Sequence, residues 1–162
     1  MTLLRPAAAL LLAILAACAG LAPEPGGPAY YAMRHLQKAE GPDPALSAAG
    51  RANAERLAGW FGGDAPGAIY VSTTRRARET AAPLAARLGL TAKEYDPSDT
   101  PALVARVRAE AGRVLIVGHS NTVPEIVERL GGARPGELGE ADYGDVWVVW
   151  PDGRTERRRI DP

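Results

Sequence analysis

Short apolar runs alternate with longer stretches of helical periodicity along most of this chain. Apolar runs of four to six residues are typical of strands buried on both faces of a parallel sheet. The stretches between them repeat apolar residues at helical spacing and end at glycine. This alternation predicts an α/β fold, a three-layer α/β/α sandwich with a mainly parallel sheet. The predicted strands cover residues 30–34, 68–71, 92–95, 114–117, 146–150 and 155–160.

Four helices are predicted between these strands, over residues 47–60, 76–88, 101–111 and 123–130. Ser47 and Asp99 precede two of them and are expected N-caps, because short polar side chains accept the free N–H groups of a first turn. Pro151-Asp152-Gly153 separates the last two strands and is typical of a tight turn. We therefore expect about six strands, closed by a hairpin that adds an antiparallel edge strand.

The first residues have the layout of an export signal. One basic residue, Arg5, precedes an apolar run over residues 7–17 and small residues around Cys18. This run is shorter than the roughly 20 residues that span a bilayer, as in a secretory signal peptide. Leu15-Ala16-Ala17-Cys18 resembles the lipobox of bacterial lipoproteins, in which the cysteine is acylated. Ordinary cleavage after Ala19 is the alternative.

These features predict a signal peptide over residues 1–17, a Pro/Gly-rich tether over 18–28 and one folded domain over 29–162. The lipobox resemblance implies a membrane anchor on the periplasmic face, at the outer membrane since Ala19 follows the cysteine. A soluble periplasmic protein is the alternative. Lys+Arg and Asp+Glu both number 19, and neither sign forms a long tract. That balance argues against a nucleic-acid partner.

Both histidines of the chain lie at the carboxyl ends of predicted strands. His35 follows the first strand with Arg34 before it, and His119 follows the fourth strand within Gly118-His119-Ser120-Asn121. Ligands bind outside the carboxyl ends of strands in open α/β sheets. An imidazole can accept a phosphoryl group, and a guanidinium group matches phosphate oxygens. Taken singly, each motif is also compatible with a structural histidine, and Ser120 and Asn121 are expected to cap the helix that begins near residue 123.

A third motif, over residues 71–81, joins the second predicted strand to its helix. It places hydroxyl residues before a cluster of arginines at a helix start, which is a natural site for an anion. The alternative is a capped helix with a solvated arginine face, since Arg75 and Glu79 are four residues apart and can pair.

Together the three motifs resemble the histidine phosphatase superfamily, the phosphoglycerate-mutase-like fold, and especially its short members without a cap domain. In that family an Arg-His pair follows the first strand, and the histidine is phosphorylated. A Ser-x-x-x-Arg-Ala-x-x-Thr-Ala segment, matched here from Ser72 to Ala81 around Arg76, supplies a second phosphate-binding arginine. The second histidine of the family follows a later strand, as His119 does. The resemblance covers residues 30–130.

The resemblance implies a phosphatase that works without metal or cofactor through a phosphohistidine on His35. Its substrate would be a small phosphomonoester or a phosphohistidine-type phosphoprotein. His119 is expected to be protonated when phosphate is bound, so activity should fall at alkaline pH. The substrate-binding residues implied in this way are Arg34, Arg76, His119, Ser72 and Asn121.

The sequence departs from the family at three points. Leu36 replaces the usual glycine after Arg-His, Gln37 stands where many mutase-type members have a glutamate, and the family's general acid has no clear match. Asp96 is the predicted acid, with Glu40 and Asp142 as more distant candidates. Two other functions stay open on the sequence: a non-catalytic envelope lipoprotein that binds phosphate or another anion on the same fold, and a structural lipoprotein with an aromatic partner surface.

Overall fold

The computed structural model describes residues 27–160, so the predicted signal peptide and Cys18 lie outside the described residues. Within that range, no helix has the length and apolar character needed to cross a membrane. A short 3-10 turn, Gly62–Asp64, follows the first helix. In chain order the elements are β1 Ala29–Arg34, α1 Ala48–Trp60, β2 Ala68–Ser72, α2 Arg75–Leu88, β3 Lys93–Tyr95, α3 Thr100–Arg108, β4 Arg113–Gly118, α4 Val123–Arg129, β5 Asp145–Val149 and β6 Thr155–Arg159.

The six strands form one sheet in the order β3-β2-β4-β1-β5-β6. β3, β2, β4 and β1 run parallel, β5 is antiparallel to β1, and β6 is antiparallel to β5. The mainly parallel sheet with a closing hairpin is therefore confirmed. β4 lies between β1 and β2, with Arg34 in register with Gly118 and Val71 with Val117. This register brings the ends of the three motif-bearing strands to one edge of the sheet.

Two buried clusters cover the two faces of the sheet and confirm the three layers. On one face, α1 and α2 pack Leu57 and Leu84 against β-strand residues such as Leu115. On the other face, α3 and α4 pack Leu103 and Ile126 against the sheet. Each fully buried aliphatic side chain of this kind contributes about 1.5–3 kcal/mol. The rigid sheet edge between these layers is what positions the motif residues.

The N-cap residues agree with the predicted ones in two helices and differ in a third. Ser47 accepts the Gly50 N–H and Asp99 accepts the Ala102 N–H, so both predicted caps are confirmed. At α4, however, the N-cap residue is Thr122, and neither Ser120 nor Asn121 caps the helix. The backbone makes a tight turn after β4, in which the N–H groups of Thr122 and Val123 both donate to the His119 carbonyl. Position 122, rather than 120 or 121, therefore stands at the helix start.

The predicted end of α3 was wrong by three residues. The sequence pattern continues to residue 111, whereas the helix ends at Arg108. The N–H groups of Ala109 and Glu110 donate to carbonyls only three residues back, at Arg106 and Val107, which tightens the last turn. Gly112 then takes a left-handed φ of 85° that leads into β4.

Candidate active site

The carboxyl ends of β1 and β4 bring the two histidines together. The His35 N–H donates to the Gly118 carbonyl across this edge at 2.9 Å. The two imidazole rings lie edge to face, with centroids 5.3 Å apart. Both residues are largely buried, with exposed fractions of 3% for His35 and 9% for His119. The pairing predicted from separate motifs is therefore observed in space.

The His35 imidazole is held as a neutral ring with one free nitrogen. Its Nδ1 lies 2.8 Å from the Leu36 carbonyl oxygen. A carbonyl only accepts, so Nδ1 carries the hydrogen and Nε2 keeps its lone pair. Burial lowers the pKa of His35 to about 3, and the positive charges of Arg76 and Arg34 act in the same direction. At neutral pH, Nε2 of His35 is thus an unprotonated nucleophile.

The orientation of His119 follows from its two hydrogen-bond partners. Arg76 Nη2 lies 3.3 Å from Nδ1, and because a guanidinium group only donates, Nδ1 is the acceptor. Nε2 then carries the hydrogen and donates to the Ser72 hydroxyl at 2.8 Å. Ser72 is fully buried and lies 3.1 Å from the Thr74 hydroxyl. Ser72 therefore positions His119, while its predicted contact with substrate stays a prediction.

Burial lowers the pKa of His119 to about 4, with Arg76 and Arg34 adding to the effect. Without a bound anion, His119 is accordingly neutral at pH 7. The protonated form expected with phosphate bound requires that the anion's negative charge offset both desolvation and the arginines.

Arg34 forms hydrogen bonds to residues 139–143, which are far from it in the sequence. Its Nη1 donates to the carbonyls of Gly139 at 2.5 Å and Asp142 at 3.4 Å, and its Nη2 donates to the Tyr143 hydroxyl at 3.4 Å. The guanidinium carbon also lies 4.2 Å from the centre of the Tyr143 ring. These contacts fix the guanidinium plane, because an arginine fork with several partners retains little rotational freedom.

Two side chains near Arg34 are ones that the sequence analysis missed. The Tyr143 ring centre lies 6.1 Å from that of His35, so an aromatic face borders the histidine pair. The Glu140 carboxylate lies 3.6 Å from Arg34 Nη2, and its side chain is 88% exposed. Neither residue belongs to a periodic segment, and no local pattern marks them.

Both arginines beside the histidines retain an unpaired donor. The Nε atoms of Arg34 and Arg76 are buried and have no hydrogen-bond partner. Buried N–H groups nearly always have one, so two unpaired donors beside the histidine pair are unusual. Arg113 carries a third such Nε at the start of β4, where the side chain pairs with Asp64. The pair beside the histidines is the one suited to an oxyanion.

Hydrogen bonds of Thr80 and close packing at Gly118 hold the site residues in place. The Thr80 hydroxyl accepts the Leu36 N–H at 3.0 Å and donates to the Arg76 carbonyl at 2.8 Å, linking the two arginine-bearing segments. A Cβ on Gly118 would lie 2.9 Å from the Thr122 hydroxyl and 3.0 Å from the Tyr95 hydroxyl. The motif positions Thr80 and Gly118 thus have structural reasons for their residue types.

The predicted general acid, Asp96, lies on the surface, whereas the two histidines are buried. It is exposed and accepts hydrogen bonds from the Ser98 N–H at 2.8 Å and the Ser98 hydroxyl at 2.7 Å. These bonds lower the pKa of Asp96, whereas a general acid must hold its proton near the working pH. The geometry is that of a turn residue, and the catalytic role of Asp96 stays a prediction. Asp142 likewise uses its carboxylate to accept the Gly139 N–H at 2.7 Å.

Lowering the pH should destabilise the unliganded protein, because these two histidines take up protons when the chain unfolds. Their pKa values are lowered to about 3 and 4, below the unfolded value near 6.5, so the unfolded chain binds protons that the folded one excludes. Stability is therefore present above pH 6.5 and is lost as pH falls toward 4. Each histidine should cost about 2 kcal/mol between pH 7 and 5. Urea unfolding of the protein at both pH values measures this loss.

Carboxylates also take up protons at low pH and affect stability. The contribution of one histidine is isolated by comparing the wild type with His119→Gln, which lacks one titrating group. It should lose about 2 kcal/mol less than the wild type over the same interval. An equal loss in both proteins would show that His119 does not titrate on unfolding.

Residues 32–98 match the family model of the histidine phosphatase superfamily (branch 1). This match includes Arg34, His35, Ser72 and Arg76, and it supports the resemblance seen in the sequence over these residues. No curated protein matches this chain.

Solved structures with a similar fold have low sequence identity to this chain. The protein histidine phosphatase SixA complexed with tungstate is 20% identical, with a TM-score of 0.61 over 80% of this chain and 94% of that chain. A mycobacterial glucosyl-3-phosphoglycerate phosphatase is 16% identical, with a TM-score of 0.64 over 82% and 98%. A proposed phosphohistidine phosphatase SixA from Agrobacterium tumefaciens is 23% identical, with a TM-score of 0.59 over 85% and 97%. These likenesses establish the fold.

Proposed function

We propose that the protein is a phosphatase that hydrolyses a phosphomonoester or phosphohistidine-type substrate through a phosphohistidine on His35. The observation that carries this proposal is the juxtaposition of two neutral, buried imidazoles, 5.3 Å apart, with two guanidinium groups that each keep an unpaired N–H. His35 offers a free Nε2, and the remaining groups are suited to hold the three equatorial oxygens of a phosphoryl group. Such a set performs phosphoryl transfer by positioning and charge stabilisation.

The proposed reaction has two steps. The lone pair on His35 Nε2 forms a bond to phosphorus as the bond from phosphorus to the leaving atom breaks. That atom is the ester oxygen of a phosphomonoester or the imidazole nitrogen of a phosphohistidine, and it takes up a proton. Water then attacks phosphorus, the N–P bond breaks, and inorganic phosphate leaves neutral His35. Arg34, Arg76 and His119 stabilise the negative charge of the equatorial oxygens in both steps.

The leaving atom needs a proton donor in the first step. Asp96 is the sequence candidate, although its pKa is lowered. A phosphohistidine or acyl phosphate has a leaving group that departs more readily than an alkoxide, so it depends less on an acid. Both kinds of substrate occur among proteins of this fold, since SixA is a protein histidine phosphatase and another is a glucosyl-3-phosphoglycerate phosphatase.

We propose that no metal takes part, because the two arginines supply the positive charge that a metal would otherwise provide. Among residues 27–160, no group of three or more histidine, cysteine or acidic side chains is placed to hold a metal ion. The test is a phosphatase assay of the protein on p-nitrophenyl phosphate and on a phosphohistidine peptide, with and without EDTA. Release of phosphate that EDTA leaves unchanged supports the proposal; an absence of turnover contradicts it.

A non-catalytic anion-binding protein on the same fold is the second candidate. One observation favours it: Asp145 is the only buried carboxylate in the described part of the chain, and it pairs with Arg159 at 3.1 Å. This buried acid is therefore engaged in an ion pair. Saturable binding of inorganic phosphate by calorimetry, without hydrolysis of any phosphoester, would identify this function.

The predicted lipid anchor is also a proposal, since Cys18 lies in the part of the chain that the structure does not describe. Acylation at Cys18 would hold the domain on the periplasmic face of a bacterial membrane, because two or more acyl chains give stable anchoring. Expression of the full chain with radiolabelled palmitate should label the wild type and place it in the membrane fraction. A Cys18→Ser variant should be unlabelled. Unlabelled, soluble wild-type protein would instead support cleavage after Ala19.

A further inference from the structure

The antiparallel strand β5 begins at the edge of the sheet where β1 ends. Val146, near the start of β5, pairs with Met33, near the end of β1. Gly144 takes a left-handed φ of 87° where the chain turns into β5, and its carbonyl accepts the Ile160 N–H at 3.0 Å. The closing hairpin therefore holds the preceding segment, residues 139–143, beside the end of β1.

Hydrogen bonds within segment 139–143 keep its shape. The Gly139 carbonyl accepts the Asp142 N–H at 3.2 Å, and the Asp142 carboxylate accepts the Gly139 N–H at 2.7 Å. The Tyr143 N–H donates to the Ala141 carbonyl at 3.0 Å. A loop closed on itself in this way has lost much of its conformational freedom before it meets Arg34. The groups that it presents to the guanidinium are thus preorganised.

The segment occupies both terminal nitrogens of Arg34. Nη1 donates to the carbonyls of Gly139 and Asp142. Nη2 donates to the Tyr143 hydroxyl and faces the Glu140 carboxylate at 3.6 Å. The buried Nε is the nitrogen of Arg34 that has no partner among the described residues. Of the guanidinium nitrogens, Nε is therefore the one whose N–H is free to donate to a substrate.

Tyr143 is in contact with both residues of the Arg-His pair. Its ring centre lies 4.2 Å from the guanidinium carbon of Arg34 and 6.1 Å from the ring centre of His35. The side chain is half-buried, so packing restricts where the ring can lie. One side chain thus links the orientation of the arginine to the position of the proposed nucleophile.

We propose that Tyr143 is a positioning residue for phosphoryl transfer: it holds the Arg34 guanidinium in the plane from which Nε–H donates to the phosphoryl group attacked by His35. This proposal rests on the phosphatase function proposed above and adds a residue to it. Tyr143 forms no bond to substrate and transfers no proton. Its effect should lie mainly on kcat, because misplacing a catalytic group by about 1 Å can slow a reaction about 100-fold.

The first experiment measures kcat and KM on p-nitrophenyl phosphate. Tyr143→Leu loses both the ring and the hydroxyl and should lower kcat about 10- to 100-fold, with KM changed less than about threefold. Tyr143→Phe keeps the ring over Arg34 and should retain most of the activity. The matched control is Tyr30→Leu, since Tyr30 is a half-buried tyrosine at the opposite end of β1. That variant should keep kcat within about twofold of wild type, as expected for a residue that does not touch the site.

A double-mutant cycle separates positioning of Arg34 from general support of the fold. If Tyr143 acts through Arg34, adding Tyr143→Leu to Arg34→Ala should lower kcat by less than about twofold further. The Nε–H signal of Arg34 in ¹⁵N NMR, identified by its absence from Arg34→Ala, is a second measurement. Inorganic phosphate should shift this signal in the wild type, and the shift should be at least halved in Tyr143→Leu.

The outcomes distinguish this inference from the function on which it rests. A wild type that hydrolyses no phosphoester would remove the phosphatase function and the inference with it. Hydrolysis with an unchanged kcat in Tyr143→Leu, or with losses that multiply in the double variant, would overturn the inference alone. An Arg34 Nε–H signal that phosphate does not shift in the wild type would show that Nε is not the donor. Should Tyr143→Leu not fold, the same cycle and titration with Tyr143→Phe test the hydroxyl contact, and a full loss of coupling to Arg34 there would contradict the proposal.

Discussion

A His35→Ala variant should lose phosphatase activity by at least about a thousandfold, because the variant has no group to accept the phosphoryl group. In the structure, Nε2 of His35 is the unprotonated atom of a ring whose Nδ1 donates to the Leu36 carbonyl at 2.8 Å. The other imidazole cannot take its place, since both of its nitrogens are engaged by Arg76 and Ser72. The measurement is kcat/KM on p-nitrophenyl phosphate.

Two further observations separate loss of the nucleophile from loss of the fold. The variant should still bind inorganic phosphate in calorimetry, because Arg34, Arg76 and His119 remain. Wild-type protein mixed with ³²P-labelled substrate and denatured in alkali, where phosphohistidine survives, should carry label, and the variant should carry none. A variant that keeps wild-type activity, or a label that persists without His35, would contradict the covalent mechanism.

The parts of the fold that the sequence predicts are those set by local burial. β1 and β4 are apolar except for one terminal arginine each, because both faces of the sheet are covered, and such runs stand out in any sequence. Ser47 and Asp99 cap their helices through bonds to residues three positions away, which are equally local. Convergence of His35 and His119 then requires only that parallel strands end at the same edge.

The contacts of Arg34 show why the rest of the site could not be predicted. Gly139 lies 105 residues after Arg34, in a segment without regular secondary structure. A backbone carbonyl can accept a hydrogen bond whichever side chain its residue carries. The residue type at position 139 therefore does not indicate this contact. Tyr143 does have a chemical signature, but an isolated tyrosine between a helix and a strand has many explanations. Long-range packing alone selects these partners.

The predicted general acid shows how the environment of a side chain depends on strand order. Asp96 follows β3 as expected for a residue at the active edge, yet β3 is the outermost strand on its side of the sheet. The exposed carboxylate turns to Ser98, and its pKa is lowered. Strand order depends on pairing between distant segments, and the sequence pattern alone did not order the strands.

An Arg76→Ala variant should lower kcat/KM by about 100- to 1,000-fold, the range seen when one preorganised donor to a transition-state oxyanion is removed. Arg76 contributes in two ways: its buried Nε has no partner within the chain, and its Nη2 donates to His119 Nδ1 at 3.3 Å. Its positive charge also helps to lower the pKa of His119. The pKa of His119 should therefore rise in the variant, and NMR titration can follow it because the chain has only two histidines.

Arg75→Ala is the matched control, since it removes the neighbouring guanidinium, which is exposed and pairs with Glu79 at 2.7 Å. That variant should keep activity within about threefold of wild type, as expected for an exposed pair. Arg76→Lys should fall between the two, because lysine keeps the charge but cannot donate in the plane of the arginine fork. Equal losses in Arg75→Ala and Arg76→Ala would show that overall charge near α2, rather than the placement of one guanidinium beside His119, governs catalysis. An unchanged pKa of His119 in Arg76→Ala would show that the two side chains do not interact in solution, and the proposed oxyanion site would then lack the arginine on which half of its charge depends.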